Sequence, residues 1–250
     1  MRRSLIVANW KMYTDLSDAN ILATTVRNHV AHLQGVEIIL CPPAIWLSEL
    51  AQTLGKNGKV ELGAQNIFYE AEGAYTGEIS PLMVRAVAKY AIVGHSERRE
   101  HFGETNIEVN EKVIAALKAG LCPIVCVGEK KRSARFPEAV VRELKEALAH
   151  VPRKNYKDIV VAYEPVWAIS ANGDGNGNAD PEYVAKVATA LREIVLRDCP
   201  VLYGGSINSK NVAQYSTRPE LDGVLVGSAS LRASEFVKVC QIWSENKTIK

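Results

Sequence analysis

No sign of charge dominates this chain: 30 lysines and arginines stand against 28 aspartates and glutamates, for a net charge of +2. The one local basic run, Lys130-Lys131-Arg132 with Arg135, reads as a solvated loop and helix start. Nucleic acid and membrane surfaces are therefore not expected partners. Long apolar runs are missing too. Behind Met1-Arg2-Arg3, the stretch Leu5-Ile6-Val7-Ala8 is broken at once by Asn9, too short for a secretory core or a bilayer span, and a cytoplasmic protein is expected. The five cysteines, Cys41, Cys122, Cys126, Cys199 and Cys240, lie in apolar segments without metal-ligand spacing. They read as reduced core thiols, and no metal site is expected. A linker, a composition break and a glycine-rich dinucleotide turn are likewise absent: the first strand candidate runs into Asn9-Trp10-Lys11, which argues against an open doubly wound sheet.

What the chain has is an alternation of strand and helix patterns, renewed about every thirty residues. Strands are expected over Leu5–Trp10, Val36–Cys41, Val60–Gln65, Tyr90–Val93, Leu121–Val127, Asp158–Tyr163, Val201–Tyr203 and Val224–Val226. Helices are expected over Ser17–Leu33, Ala44–Leu54, from Ser80-Pro81, from Ser96, and over Pro137–His150 and Pro181–Arg197, with a short one near Lys210 and a last one over Ser234–Trp243. Eight such units without a break predict an α/β fold, a closed parallel (β/α)8 barrel in a single domain over 1–250, because right-handed crossovers put every helix outside.

Ile159-Val160-Val161-Ala162-Tyr163 is a β-branched run that ends in Glu164 and then Pro165, which cannot continue a ladder. Glu164 is thus expected at a strand's carboxyl end, the catalytic rim of such a barrel, followed by a glycine-rich segment long enough to form a lid. The same rim collects Lys11 and His95. Alone, each has a bland reading: a solvated loop charge, a turn or helix cap, a strand stop. Together they supply a cation, an imidazole and a carboxylate base, the set that moves a proton beside a carbonyl.

Asn9-Trp10-Lys11-Met12, Val93-Gly94-His95-Ser96-Glu97-Arg98-Arg99, Cys126-Val127-Gly128-Glu129, Ala162-Tyr163-Glu164-Pro165-Val166-Trp167, Tyr203-Gly204-Gly205-Ser206 and Leu225-Val226-Gly227 resemble, in order along the whole chain, the triosephosphate isomerase family. The resemblance implies a TIM barrel that interconverts dihydroxyacetone phosphate and glyceraldehyde 3-phosphate through an enediolate, with no cofactor. It implies that Glu164 abstracts the proton, His95 polarises the carbonyl as a neutral imidazole at a helix start, Lys11 holds the substrate, and Asn9 orients Lys11 and the substrate oxygens. Glu97 accepts from Lys11 or relays a proton, and equally reads as a helix-terminus carboxylate. Phosphate is expected on backbone N–H groups of Gly205, Ser206, Gly227 and Ser228, with Ser170 from the lid. Position 228 carries a serine where the family commonly has glycine.

The family pattern stops at Ile169. The tip from Ser170 to Asp180 is about four residues longer than usual, so closure is expected to cost more entropy, with lower turnover or more methylglyoxal as the consequence. Its alternating Asn and Asp lack the glutamate a calcium loop needs at its twelfth position. The loop 66–77, long and carrying Phe68, Tyr69 and Tyr75, reads as an interface; the resemblance implies that it enters a twin subunit in a C2 homodimer, with Thr76 reaching the partner's lysine-bearing strand and Met12 and Tyr13 forming the receiving pocket. Two other readings stand beside this one: another phosphate-binding barrel such as a sugar-phosphate epimerase or an indole-forming synthase, and a catalytically impaired barrel retained as a dimeric binding scaffold.

Overall fold

The computed structural model describes residues 3–55, 58–132, 137–169 and 178–248. The strands β1 (Ser4–Asn9), β2 (Val36–Cys41), β3 (Val60–Ala64), β4 (Tyr90–Val93), β5 (Cys122–Val127), β6 (Val160–Tyr163), β7 (Val201–Tyr203) and β8 (Gly223–Val226) close into a barrel in sequence order, every neighbouring pair parallel. The expected fold class stands. Alternate strand residues face opposite ways. Leu5, Val7, Ile39, Ile92, Ile124, Val160, Leu202 and Leu225 form one buried cluster inside the barrel. Their neighbours Ile6, Ala8, Ile38, Leu40, Ala91, Val93, Val125 and Val161 belong to a second, which the surrounding helices share. Burial on both faces is why these strands read as continuous apolar runs rather than alternating ones.

The helices are α1 (Leu16–Val30), α2 (Leu47–Leu54), α3 (Pro81–Arg85), α4 (Ser96–His101), α5 (Asn106–Lys118), α6 (Glu138–Ala147), α7 (Pro181–Arg192), α8 (Val212–Ser216) and α9 (Ala233–Thr248). Side-chain oxygens of Asp15, Ser80, Thr105 and Asp180 accept first-turn N–H groups of α1, α3, α5 and α7. Each such cap contributes about 1 kcal/mol. Several boundaries move inward: α1 ends at Val30, α6 at Ala147 and α7 at Arg192, short of the expected Leu33, His150 and Arg197, while β1 and β3 stop at Asn9 and Ala64, one residue before the expected Trp10 and Gln65. One helix was not read at all. α5 opens on a capping box in which Thr105 and Glu108 bond each other's backbone N–H, a signal present in the sequence. No helix among the described residues is long and apolar enough to cross a membrane.

Candidate active site

The carboxyl ends of five strands deliver the site. Asn9 ends β1 and Lys11 lies two residues on; His95 lies two past β4; Glu164 follows β6; Gly204-Gly205-Ser206 follows β7 and Gly227-Ser228 follows β8. Asn9, Lys11, His95, Glu164, Gly205, Ser206, Gly227 and Ser228 all line a single cavity of about 210 Å³. Ser170 and the lid tip over 170–177 lie outside the described residues. Glu97 faces a neighbouring hollow that also touches Asn9, Lys11 and His95.

Lys11 is held by its backbone. Its φ of 54° is left-handed, which side-chain-bearing residues adopt at a cost of about 1 kcal/mol or more. Two bonds offset that strain: Lys11 N–H donates to Asn9 Oδ1 at 3.0 Å, and Gln65 Nε2 donates to Lys11 O at 2.8 Å while also reaching Cys41 O at 2.8 Å. Lys11 Nζ then donates to Glu97 Oε1 at 2.5 Å.

His95 sits in the cap position of α4, and Nδ1 accepts the Glu97 N–H at 3.3 Å. That bond places the ring proton on Nε2, which faces Glu164 Oε1 at 3.1 Å. Asn9 Nδ2 lies 3.2 Å from the same Nε2. Gly94 makes the approach: its φ is +74°, and a Cβ there would stand 2.9 Å from Arg99 Nη2.

Glu164 is buried, 2 % exposed. Its N–H bonds Val127 O at 2.8 Å and its Oε2 accepts Ser96 N–H at 2.9 Å, so the first free N–H of α4 points at the carboxylate. Gly204 leaves room for it, since a Cβ at that position would meet Glu164 Cγ at 2.9 Å. A carboxylate and a ring N–H in contact, with an ammonium on the same cavity wall, can take a proton from carbon while stabilising charge on an adjacent oxygen.

Ser206 Oγ donates to Ala168 O at 3.1 Å, so its hydroxyl anchors the segment behind Glu164 as well as lining the cavity. Glu129, quoted only as part of a motif, is a junction: its Oε1 accepts Tyr163 OH at 2.8 Å, Trp167 Nε1 at 2.8 Å and Tyr183 OH at 3.0 Å. Burial and the Glu129 charge push the Tyr183 phenol up to about 12. Beyond residues 170–177 the chain is anchored again: Asn178 Oδ1 accepts Asn211 Nδ2 at 3.1 Å, Ala179 O accepts Tyr215 OH at 2.7 Å, and Ala179 N–H reaches Tyr203 OH at 3.4 Å. Arg232, on the cavity wall, had no role in the sequence reading. Nothing marks it in sequence, because it lies five residues past Gly227 beyond a short 3-10 turn over 228–231.

A family model described as triosephosphate isomerase matches residues 4–243. A triosephosphate isomerase of Dehalococcoides mccartyi is 44% identical over 248 residues, covering 96% of this chain and 96% of that protein. Another, from Herpetosiphon aurantiacus, is 42% identical over 249 residues, covering 96% and 98%. Among solved structures, triosephosphate isomerase from Bartonella henselae superposes with a TM-score of 0.85 at 30% identity, over 96% of this chain and 99% of that one.

Proposed function

The chain belongs to the triosephosphate isomerase family and interconverts dihydroxyacetone phosphate and glyceraldehyde 3-phosphate, a step of glycolysis and gluconeogenesis; from that premise we propose how its residues carry the reaction. The observation that supports the assignment best is the 3.1 Å contact of His95 Nε2 with Glu164 Oε1 inside the cavity that Lys11 also lines. Glu164 takes a proton from the carbon beside the carbonyl, and the electron pair left behind forms the enediolate. His95 Nε2–H donates to the oxygen on which charge develops; Lys11, oriented by Asn9 and Glu97, balances that charge. The proton then returns to the neighbouring carbon. Glu164 Oε2 leaves Ser96 N–H to reach the substrate carbon. Phosphate lies along Gly205, Ser206, Gly227 and Ser228.

The whole chain acts as one barrel domain over 1–250, in the cytoplasm, as a C2 homodimer. Supporting the dimer, Met12 is 94 % and Phe102 71 % exposed beside a hollow of about 500 Å³ that reaches Lys11, and Tyr75 and Thr76 are exposed on the loop meant to fill a twin hollow. The comparisons name isomerases and lend the scaffold-only alternative no support. A coupled assay of glyceraldehyde 3-phosphate turnover, run beside Glu164→Asp with methylglyoxal quantified, tests the assignment. Wild-type activity that survives unchanged in the variant would remove Glu164 as the base.

A further inference from the structure

The substrate of this reaction carries a phosphate of about −1.5 to −2 charge at neutral pH, and the cavity has to accept it. Its charged lining residues are Lys11, Glu164 and Arg232. Lys11 is already compensated, since its Nζ bonds Glu97 at 2.5 Å. Lys11 with Glu97 sums to zero, so Glu164 with Arg232 decides the formal charge: neutral with the arginine, and one negative without it. A cavity of net negative charge would repel the anion that it has to bind, and partial charges on backbone N–H groups would have to overcome that repulsion alone.

We propose that Arg232 is the second cation of the substrate cavity and engages the substrate's phosphate directly, an inference that rests on the isomerase reading and adds a residue to it. The position fits. Gly227 and Ser228, expected to offer N–H groups to phosphate, open the 3-10 turn over 228–231, and Arg232 caps its far end on the same cavity wall. Among the described residues no carboxylate comes within 4.0 Å of its guanidinium. The acid whose field it shares is Glu235, and that carboxylate is engaged elsewhere: its Oε1 accepts Ser209 N–H at 2.7 Å, which holds it below the usual range more than Arg232 does. A planar fork of N–H donors matches phosphate oxygens in pairs, so the guanidinium supplies direction as well as charge.

The test uses inorganic phosphate as the probe, by calorimetric titration of the wild-type protein, Arg232→Gln and Arg232→Lys. Arg232→Gln is expected to weaken phosphate binding about tenfold, and Arg232→Lys to recover part of the loss because it keeps the charge without the fork. In turnover, Arg232→Gln should lower kcat/KM for glyceraldehyde 3-phosphate about tenfold more than for glyceraldehyde, which lacks the phosphate. Phosphate binding within twofold of wild type in Arg232→Gln, or equal losses on the two substrates, would overturn the proposal. Absence of isomerisation in the wild-type protein would count against the isomerase reading instead, and the calorimetric comparison would still decide the role of Arg232.

Discussion

Glu164 Oε2 accepts the backbone N–H of Ser96 at 2.9 Å, which ties the end of β6 to the first turn of α4 across the barrel mouth. The other oxygen, Oε1, lies 3.1 Å from His95 Nε2, so consecutive residues past β4 hold both oxygens of a carboxylate that follows β6. Shortening the side chain in Glu164→Asp withdraws it by roughly the length of one C–C bond. A misplacement on the order of 1 Å costs about 10²-fold in rate. The expected result is a fall of that size in kcat with KM little changed, read in the coupled assay, and an unchanged thermal midpoint.

Lys11 and Glu97 form a partly exposed pair, with side chains 18% and 31% accessible. Removing the cation in Lys11→Met leaves Glu97 unpaired in the hollow beside the substrate cavity, adding an uncompensated negative charge to the lost attraction. A loss of about 10²–10³-fold in kcat/KM for glyceraldehyde 3-phosphate is expected. Glu97→Gln keeps a hydrogen-bond acceptor for Lys11 and should lose less; steady-state kinetics on both variants check the order.

Three donors converge on Glu129 Oε1, from Tyr163, Trp167 and Tyr183. Replacing it in Glu129→Leu removes the acceptor that all three share, for a destabilisation of about 2–4 kcal/mol. Tyr183→Phe removes one donor and leaves two in place, for about 0.5–1.5 kcal/mol. Urea unfolding midpoints should rank wild type above Tyr183→Phe above Glu129→Leu. Because Trp167 begins the segment behind Glu164, kcat should fall in the same order.

Stability should decline at both ends of the pH range. Burial raises the Cys122 thiol from 9.0 to about 11, with Arg3 opposing the shift. Its folded pKa exceeds its unfolded one, so the stability it contributes is present below pH 9 and lost as pH rises toward 11, where the unfolded chain ionises first. Glu108 shifts the other way, lowered by the Thr105 N–H and hydroxyl. That contribution is present above the ordinary carboxylate range and lost as pH falls through it. Unfolding free energies from pH 2 to 11 should show both flanks, and Cys122→Ala should flatten the alkaline one.

The dimer proposal predicts that Met12→Arg, which puts a charge on a 94 % exposed side chain, gives a monomer by sedimentation. Activity should fall at least about tenfold with it, because the hollow beside Lys11 would lose its occupant. A variant that stays dimeric and fully active would sink the assignment of the 66–77 loop.

Elements whose pattern is local were legible before any coordinates. The β-branched run ending at Glu164-Pro165 had to be a buried strand that stops there, and Ser80-Pro81 had to open a helix. α5 escaped because its apolar positions are interrupted by polar ones, although Thr105 and Glu108 marked its start. The junction at Glu129 was hidden for a different reason. Its donors come from residues 163, 167 and 183, and only closure of the barrel brings them to one oxygen.

By itself, then, the sequence determined the strand–helix alternation, most of the strand ends and the chemical character of the rim, because hydrophobic period and proline act within a few residues of chain. Tertiary structure decided which atoms meet: the tautomer of His95 through Glu97 N–H, the seat of Glu164 on Ser96, and the entry of Arg232 into the cavity. Those depend on distances between strand ends far apart in sequence. Register and barrel closure set such distances, and no local pattern encodes them.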